Sequence, residues 1–274
     1  MVNFQYKEFY DVEDLKTVID LLRSKDGCPW DREQTHNSIR RNFLEEAYEV
    51  CEAIDNRDCD NLKEELGDVL MQVVFHSSIE EQAGRFDLSQ VADTCCKKLI
   101  YRHPHVFGNV NVSDTDNVLE NWDQLKRREK KQETTASVMN SIARSLPSTW
   151  RAEKIQGKAK KSVGFDWEHI SGAVDKLYEE VAELKEAIEK SQGTTGQPDN
   201  SSDVREELGD VLFSAVNVAR MANIDPEDVL HASCDKFITR FKFMEQEALK
   251  QNRQLDSMSL DELEAIYQLA KSRL

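Results

Sequence analysis

Carboxylates recur at helical spacing in two matched places along the chain. Glu45, Glu46 and Glu49 form one Glu-Glu-x-x-Glu cluster, and residues 64–70 then read Glu-Glu-Leu-Gly-Asp-Val-Leu. The pattern returns as Glu179, Glu180 and Glu183, followed by an unchanged copy of the seven-residue string at 206–212. Positions three or four apart share one face of an α-helix. The acids are set into apolar stripes rather than opposite them. Glu180 lies between Leu177 and Leu184, in a stripe with Val181 and Ile188; Glu207 lies between Val204 and Val211, in a stripe with Leu208 and Ala215. Glu183 and Asp210 flank them one turn on. In the first copy Glu46 sits between Phe43 and Val50, and Glu65 between Leu62 and Val69, with Glu49 and Asp68 beside them. An ordinary amphipathic helix keeps its carboxylates away from its packing face.

Four carboxylates converging in a partly dry seam repel one another and lose hydration, so they call for a cation. Oxygen-only ligands favour a hard ion, and magnesium keeps some waters and shares its shell with substrate phosphates. Di-iron bundles use Glu-x-x-His pairs, and no His follows these glutamates at that spacing. A lone acidic cluster is best read as a solvated face. Two clusters repeated at matched places on apolar stripes favour magnesium. Cations recur as well: Lys98 with Arg102, and Lys236 with Arg240, each four apart downstream of a heptapeptide. Such a face suits a polyphosphate, met by Lys as a point charge and by Arg as a fork.

The elements that must position these groups are helices. An identical heptapeptide twice in 274 residues implies an internal duplication. Periodicity of 3.6 with few glycines and prolines predicts an all-α protein of two repeated helical domains. Helices are expected over about 12–24, from before Glu45 to about 56, 64–82, 88–101 and 117–132, and again around each acidic cluster of the second half. Breaks are expected at 26–31 and at His103-Pro104-His105. The domains are read as 1–132 and 151–274, joined by a linker at 133–150. Arg151, Lys154, Lys158, Lys160 and Lys161 make a basic island, read first as a solvated face. The segment 191–202, rich in Gly, Ser, Thr and Asn, predicts a mobile loop between the acidic helices of the second repeat.

Net charge is −16 and the pI about 4.9, which argues against non-specific nucleic-acid binding. Six cysteines without Cys-x-x-Cys spacing read as reduced thiols. The N-terminus lacks the features of a secretory signal, and no apolar run is long enough to span a bilayer. A cytoplasmic protein without membrane or nucleic-acid partners is expected.

Several stretches together resemble the two-domain MazG nucleoside triphosphate pyrophosphohydrolases. They are Gly27-Cys28-Pro29-Trp30-Asp31, Leu44-Glu45-Glu46-Ala47-Tyr48-Glu49-Val50, both heptapeptides, Arg102-His103-Pro104-His105-Val106-Phe107 and Val163-Gly164-Phe165-Asp166-Trp167. The resemblance implies helix bundles built from two subunits, hence a homodimer. It also implies Mg²⁺-dependent cleavage of (deoxy)nucleoside triphosphates, with broad base tolerance, to a monophosphate and pyrophosphate. The metal ligands it implies are Glu180, Glu183, Glu207 and Asp210. The nucleotide contacts it implies are Lys176, Leu177, Tyr178, Glu179, Glu180, Asp203, Val204, Arg205, Glu206, Asp210, Lys236, Arg240 and Tyr267. Where the family has a Trp this chain has Tyr267, which still offers a ring face.

A free carboxylate, Glu179 or Glu183, is expected to take the proton of the attacking water. The competing reading is a non-catalytic helical dimer that binds nucleotide or protein, its acids being relics. Buried relic charges would destabilise the fold, which favours the enzyme. The second repeat is expected to carry the catalysis: Lys176 stands one turn before Glu180 where Asn42 precedes Glu46, and the connection at 55–61 is short. The first repeat keeps Lys98, Arg102 and a candidate stacking ring, Trp122. Whether its cluster of Glu46, Glu49, Glu65 and Asp68 binds metal is left open by the residues alone.

Overall fold

The structure is a computed structural model that describes residues 4–110, 114–130, 132–191 and 202–274. The loop expected at 191–202 lies, apart from its two ends, outside the described residues. Every regular element among the described residues is helical, and packing divides the chain after Lys126 into two compact units.

The first unit runs through α1 (Val12–Arg23), α2 (Pro29–Glu33), α3 (Arg40–Asp55), α4 (Cys59–Gln82), α5 (Leu88–Arg102), α6 (Pro104–Phe107) and α7 (Thr115–Glu129), the last of which continues past the division. Local chemistry sets the starts. Asp11 and Asp87 close capping boxes on α1 and α5, and Asp58 caps α4; each such cap is worth about 1 kcal/mol. Pro29 and Pro104 were expected to break helices. Each opens a short one instead, because a first helical residue needs no amide donor and proline's φ is already helical.

α3 pairs with α4, and α1 packs against α4. Their shared core is Ile19, Ile39, Val74 and Phe75, with Leu15, Met71, Ile79 and Leu88 packed against it. Truncating Ile19 to Ala there would cost about 2–5 kcal/mol. Arg23 is buried with its guanidinium 4.8 Å over the Phe75 ring, and it donates to Asp31 O at 2.6 Å and Gln82 Oε1 at 3.0 Å.

The second unit contains α8 (Thr135–Asn140), α9 (Ser148–Val163), α10 (Ile170–Ser191), α11 (Ser202–Met221), α12 (Pro226–Lys250), a 3₁₀ turn at Leu255–Ser257 and α13 (Leu260–Arg273). Residues 133–150 therefore contain α8 and the start of α9, and α8 packs on α9. Gly164 ends α9 in the left-handed region at φ 68°, its N–H donating to Lys160 O at 2.8 Å, a conformation that glycine adopts at least cost. The α10–α11 hairpin is backed by α9, which also touches α12; α12 pairs with α13. Trp150 Nε1 donates to Asp225 at 2.9 Å, tying α9 to the cap of α12.

The expected stripes are only partly used inside the chain. Glu180 is buried and Leu177, Leu184, Ile188, Val204 and Val211 are half-buried, whereas Val181, Leu208 and Ala215 are exposed. Gly67 and Gly209, in mid-helix, have nothing beyond their neighbours and their own helix backbone within 4 Å of the place a Cβ would occupy.

Candidate metal and nucleotide site

In the second unit α10 and α11 place Glu180, Glu207 and Asp210 so that one oxygen from each lies within 4.8 Å of the others. Glu180 is the buried member, at 7% exposure, and Lys176 Nζ reaches it at 2.9 Å and Glu179 at 2.7 Å. The carboxylates hold Lys176 charged to a pH well above the usual lysine range, chiefly through these hydrogen bonds. Glu183, outside the tight set, is exposed overall; even so, loss of solvation is the leading cause that raises its carboxyl pKa, followed by its hydrogen bond with Glu180. Hard oxygen donors gathered around a buried glutamate fit a divalent cation.

The first unit repeats the cluster with a different membership. Glu46, Glu49 and Glu65 form the set within 4.8 Å, while Asp68 acts on Glu46 and Glu65 through space. Burial, then Asp68, raises the pKa of Glu46; loss of solvation, then Glu49, raises that of Glu65. Where the second repeat has Lys176, the first has Asn42.

Other expected contacts fall elsewhere on the second unit. Leu177 and Tyr178 continue α10 beside Lys176, and Asp203, Val204, Arg205 and Glu206 form the first turn of α11. Lys236 is exposed on α12. Arg240 donates to Tyr267 Oη at 3.3 Å and lies 5.6 Å over its ring, with Lys271 5.1 Å from it and Phe237 packed beside it at 6.0 Å. This group belongs to the α12–α13 contact, whereas the acids meet across α10 and α11. In the first unit the ring of Trp122 is already faced by Arg102 at 5.3 Å and Lys126 at 4.8 Å.

Two features escaped the sequence reading. The first is a cavity of about 570 Å³ whose lining includes Lys176, Glu180, Phe165, Trp167 and Gln156. Part of its lining, Ile155, Gln156 and Ala159, comes from the helix that carries the basic island; on that helix Lys160 stays largely exposed while its Nζ reaches Asp166 at 3.1 Å. The repeated Trp-containing turn was the available signal. The second is a stacked pair, His36 and His76, with His36 Nε2 at 2.5 Å from Glu80, which Arg85 also grips. No sequence spacing announces it, because His36 and His76 are 40 residues apart.

Comparison with known proteins identifies the family. The model of the MazG nucleotide pyrophosphohydrolase domain matches twice, over residues 34–107 and 170–244. The nucleoside triphosphate pyrophosphohydrolase/pyrophosphatase MazG of Thermotoga maritima is 39% identical over 259 residues, 94% of this chain and 95% of its own. The nucleoside triphosphate pyrophosphohydrolase of Escherichia coli K12 is 38% identical over 95% of this chain and 97% of its own. That of Mycolicibacterium smegmatis is 38% identical over 54% of this chain and 46% of its own. With both repeats matched and the likeness running almost end to end, the chain belongs to the MazG family of nucleotide pyrophosphohydrolases.

Proposed function

We propose that the second repeat hydrolyses (deoxy)nucleoside triphosphates to a monophosphate and pyrophosphate with Mg²⁺, tolerating several bases. Membership of the family makes the chain a nucleoside triphosphate pyrophosphohydrolase; the metal, the base range and the residue roles are the proposal. The observation that carries it is the convergence of Glu180, Glu207 and Asp210 around a buried carboxylate next to Lys176.

Glu180, Glu207 and Asp210 would hold the ion, with Glu183 adjoining, and the ion would neutralise charge gathering on the leaving pyrophosphate. The protein groups do the rest. Lys176 offsets the repulsion among the acids and orients Glu179 and Glu180. Of the two candidate bases, Glu179 has an oxygen engaged by Lys176 Nζ at 2.7 Å. Glu183 is exposed and lies outside the tight set, and it is proposed to accept the proton of the attacking water. Lys236 and Arg240 are proposed to meet the phosphate tail, and Tyr267 the nucleotide.

The test is product analysis on Asp210→Asn and Asp68→Asn, with circular dichroism to confirm folding. The wild type should give monophosphate and pyrophosphate and stop in EDTA. Asp210→Asn should lose nearly all activity and Asp68→Asn little. Release of orthophosphate alone, or full activity in EDTA, would refute the reaction; equal losses would refute the assignment to the second repeat.

A further inference from the structure

His36 and His76 of the first unit aim two ring nitrogens at one point, and a third group decides which of those atoms carry protons. Glu80 is 7% exposed, and Arg85 donates to both of its oxygens. Arg85, then His36, holds its carboxyl at a pKa of about 2. An ionised carboxylate only accepts hydrogen bonds, so His36 Nε2, 2.5 Å from Glu80 Oε1, carries a hydrogen. A neutral His36 then keeps its lone pair on Nδ1, and that atom faces His76 Nδ1 at 2.7 Å. One proton, on His76 Nδ1, fills the gap between them. Burial, then His36, lowers the pKa of His76, which keeps this ring in the neutral form that binds metals.

A transition-metal ion asks the same of an imidazole pair. A ligating His turns one nitrogen to the ion and donates the other N–H to a carboxylate, which fixes the tautomer and raises the basicity of the ring. His36 already does this towards Glu80. Zn–N bonds of about 2.0–2.1 Å at tetrahedral angles set two ligand nitrogens about 3.3 Å apart, so the pair must open by about half an ångström. The supports allow that movement. His76 is fixed on α4 with Phe43 packed beside it at 5.8 Å, whereas His36 stands in the turn between α2 and α3, outside any helix. The His36 side chain is 43% exposed, which gives the ion an entry path and water to complete its shell. Neither His belongs to the acid set of Glu46, Glu49 and Glu65.

We propose that His36 Nδ1 and His76 Nδ1 together bind a divalent ion of the zinc, nickel and copper class, with Glu80 as the carboxylate behind His36. Imidazole suits these ions, whereas magnesium takes oxygen ligands, so this site is separate from the carboxylates and independent of the hydrolytic reading. On binding, the proton of His76 passes from Nδ1 to Nε2 through solvent, and the ion stands where the shared proton was. It ties α4 to the turn that leads into α3.

The test is calorimetric titration of the full chain with Zn²⁺ in excess Mg²⁺, comparing wild type with His36→Gln and His76→Gln. Cysteines and the clustered acids are the same in all three proteins, so the difference between them counts this site alone. The wild type should bind one equivalent more than either variant. Glu80→Gln should keep that equivalent with Kd raised about 10–100-fold. Equal stoichiometry in wild type and the His variants overturns the site, and an unchanged Kd in Glu80→Gln overturns the part given to the carboxylate. If circular dichroism shows that a variant does not fold, the wild type decides alone, by ¹⁵N NMR of labelled histidines. Zn²⁺ should shift Nδ1 of both His36 and His76; a shift at neither, or coordination through Nε2, overturns the proposal.

Discussion

At the scale of single residues, the acids were legible because helical spacing and stripe position are both written in the sequence. Glu180 is buried in the α10–α11 seam as its place between Leu177 and Leu184 implies. Glu183 and Asp68 stand outside the tight sets, and nothing in periodicity distinguishes one turn's reach of a side chain from the next. The raised carboxyls have a consequence for stability. A carboxyl whose folded pKa lies above its unfolded value stabilises the fold below the unfolded value, and that contribution is lost as pH rises. Glu183, Glu46 and Glu65 all lie on this side, so their contribution is lost at neutral pH, where the proposed Mg²⁺ would offset the repulsion among them. Adding Mg²⁺ at a hundredfold excess over Kd should stabilise by about 2.7 kcal/mol at pH 7.5 and far less at pH 4. Differential scanning fluorimetry with and without Mg²⁺ checks this; a pH-independent shift would count against the acids as the ligands.

Elements were the best-read scale in position and the worst in their joins. Helices α1, α3, α4, α5 and α7 lie close to their expected spans, whereas α2, α6 and α8 were read as breaks or linker. Those three are short, and proline or a single cap sets them with little apolar periodicity to signal them. The bond between α4 and the segment before α3 was illegible for a different reason: it is a tertiary pairing of His36, His76 and Glu80. It also titrates. Burial, then His36, lowers the pKa of His76 below its ordinary 6.5, so its contribution is present above pH 6.5 and lost as pH falls through the lower folded value. Arg85 and His36 hold Glu80 at about 2, so its contribution is present above 4.5 and lost on the way down to about 2. Unfolding of the first unit should therefore ease in two acid steps. His76→Gln should flatten the step below pH 6.5, and Glu80→Gln the step below 4.5, in calorimetric melts. An unchanged pH profile in both variants would show that this cluster does not govern acid stability.

For the whole molecule, duplication was plain from the repeated string, and the family match over both halves agrees. What one chain cannot bury was less plain. Tyr178 is 72% exposed, Leu212 61% and Leu230 55%, along helices α10, α11 and α12. Exposed apolar faces of this kind mark association surfaces, and a second copy packed as a helix bundle is proposed to cover them. Light scattering after size exclusion should give twice the chain mass of 31.6 kDa, and Leu230→Asp should shift it towards the single-chain mass. A wild type that stays monomeric at micromolar concentration would refute the dimer.

Gly67 and Gly209 have a further consequence. In mid-helix each weakens its helix by about 0.5–1 kcal/mol relative to alanine, and no atom of its own protomer needs the space it leaves. Both copies of the string keep the residue where other positions of the repeat have drifted. Each precedes an aspartate of the acid cluster by one position, so Asp68 and Asp210 ride on the most pliable step of their helices. Asp68 and Asp210 thus each follow the residue of poorest helix propensity in their helix, and the duplication repeats that placement.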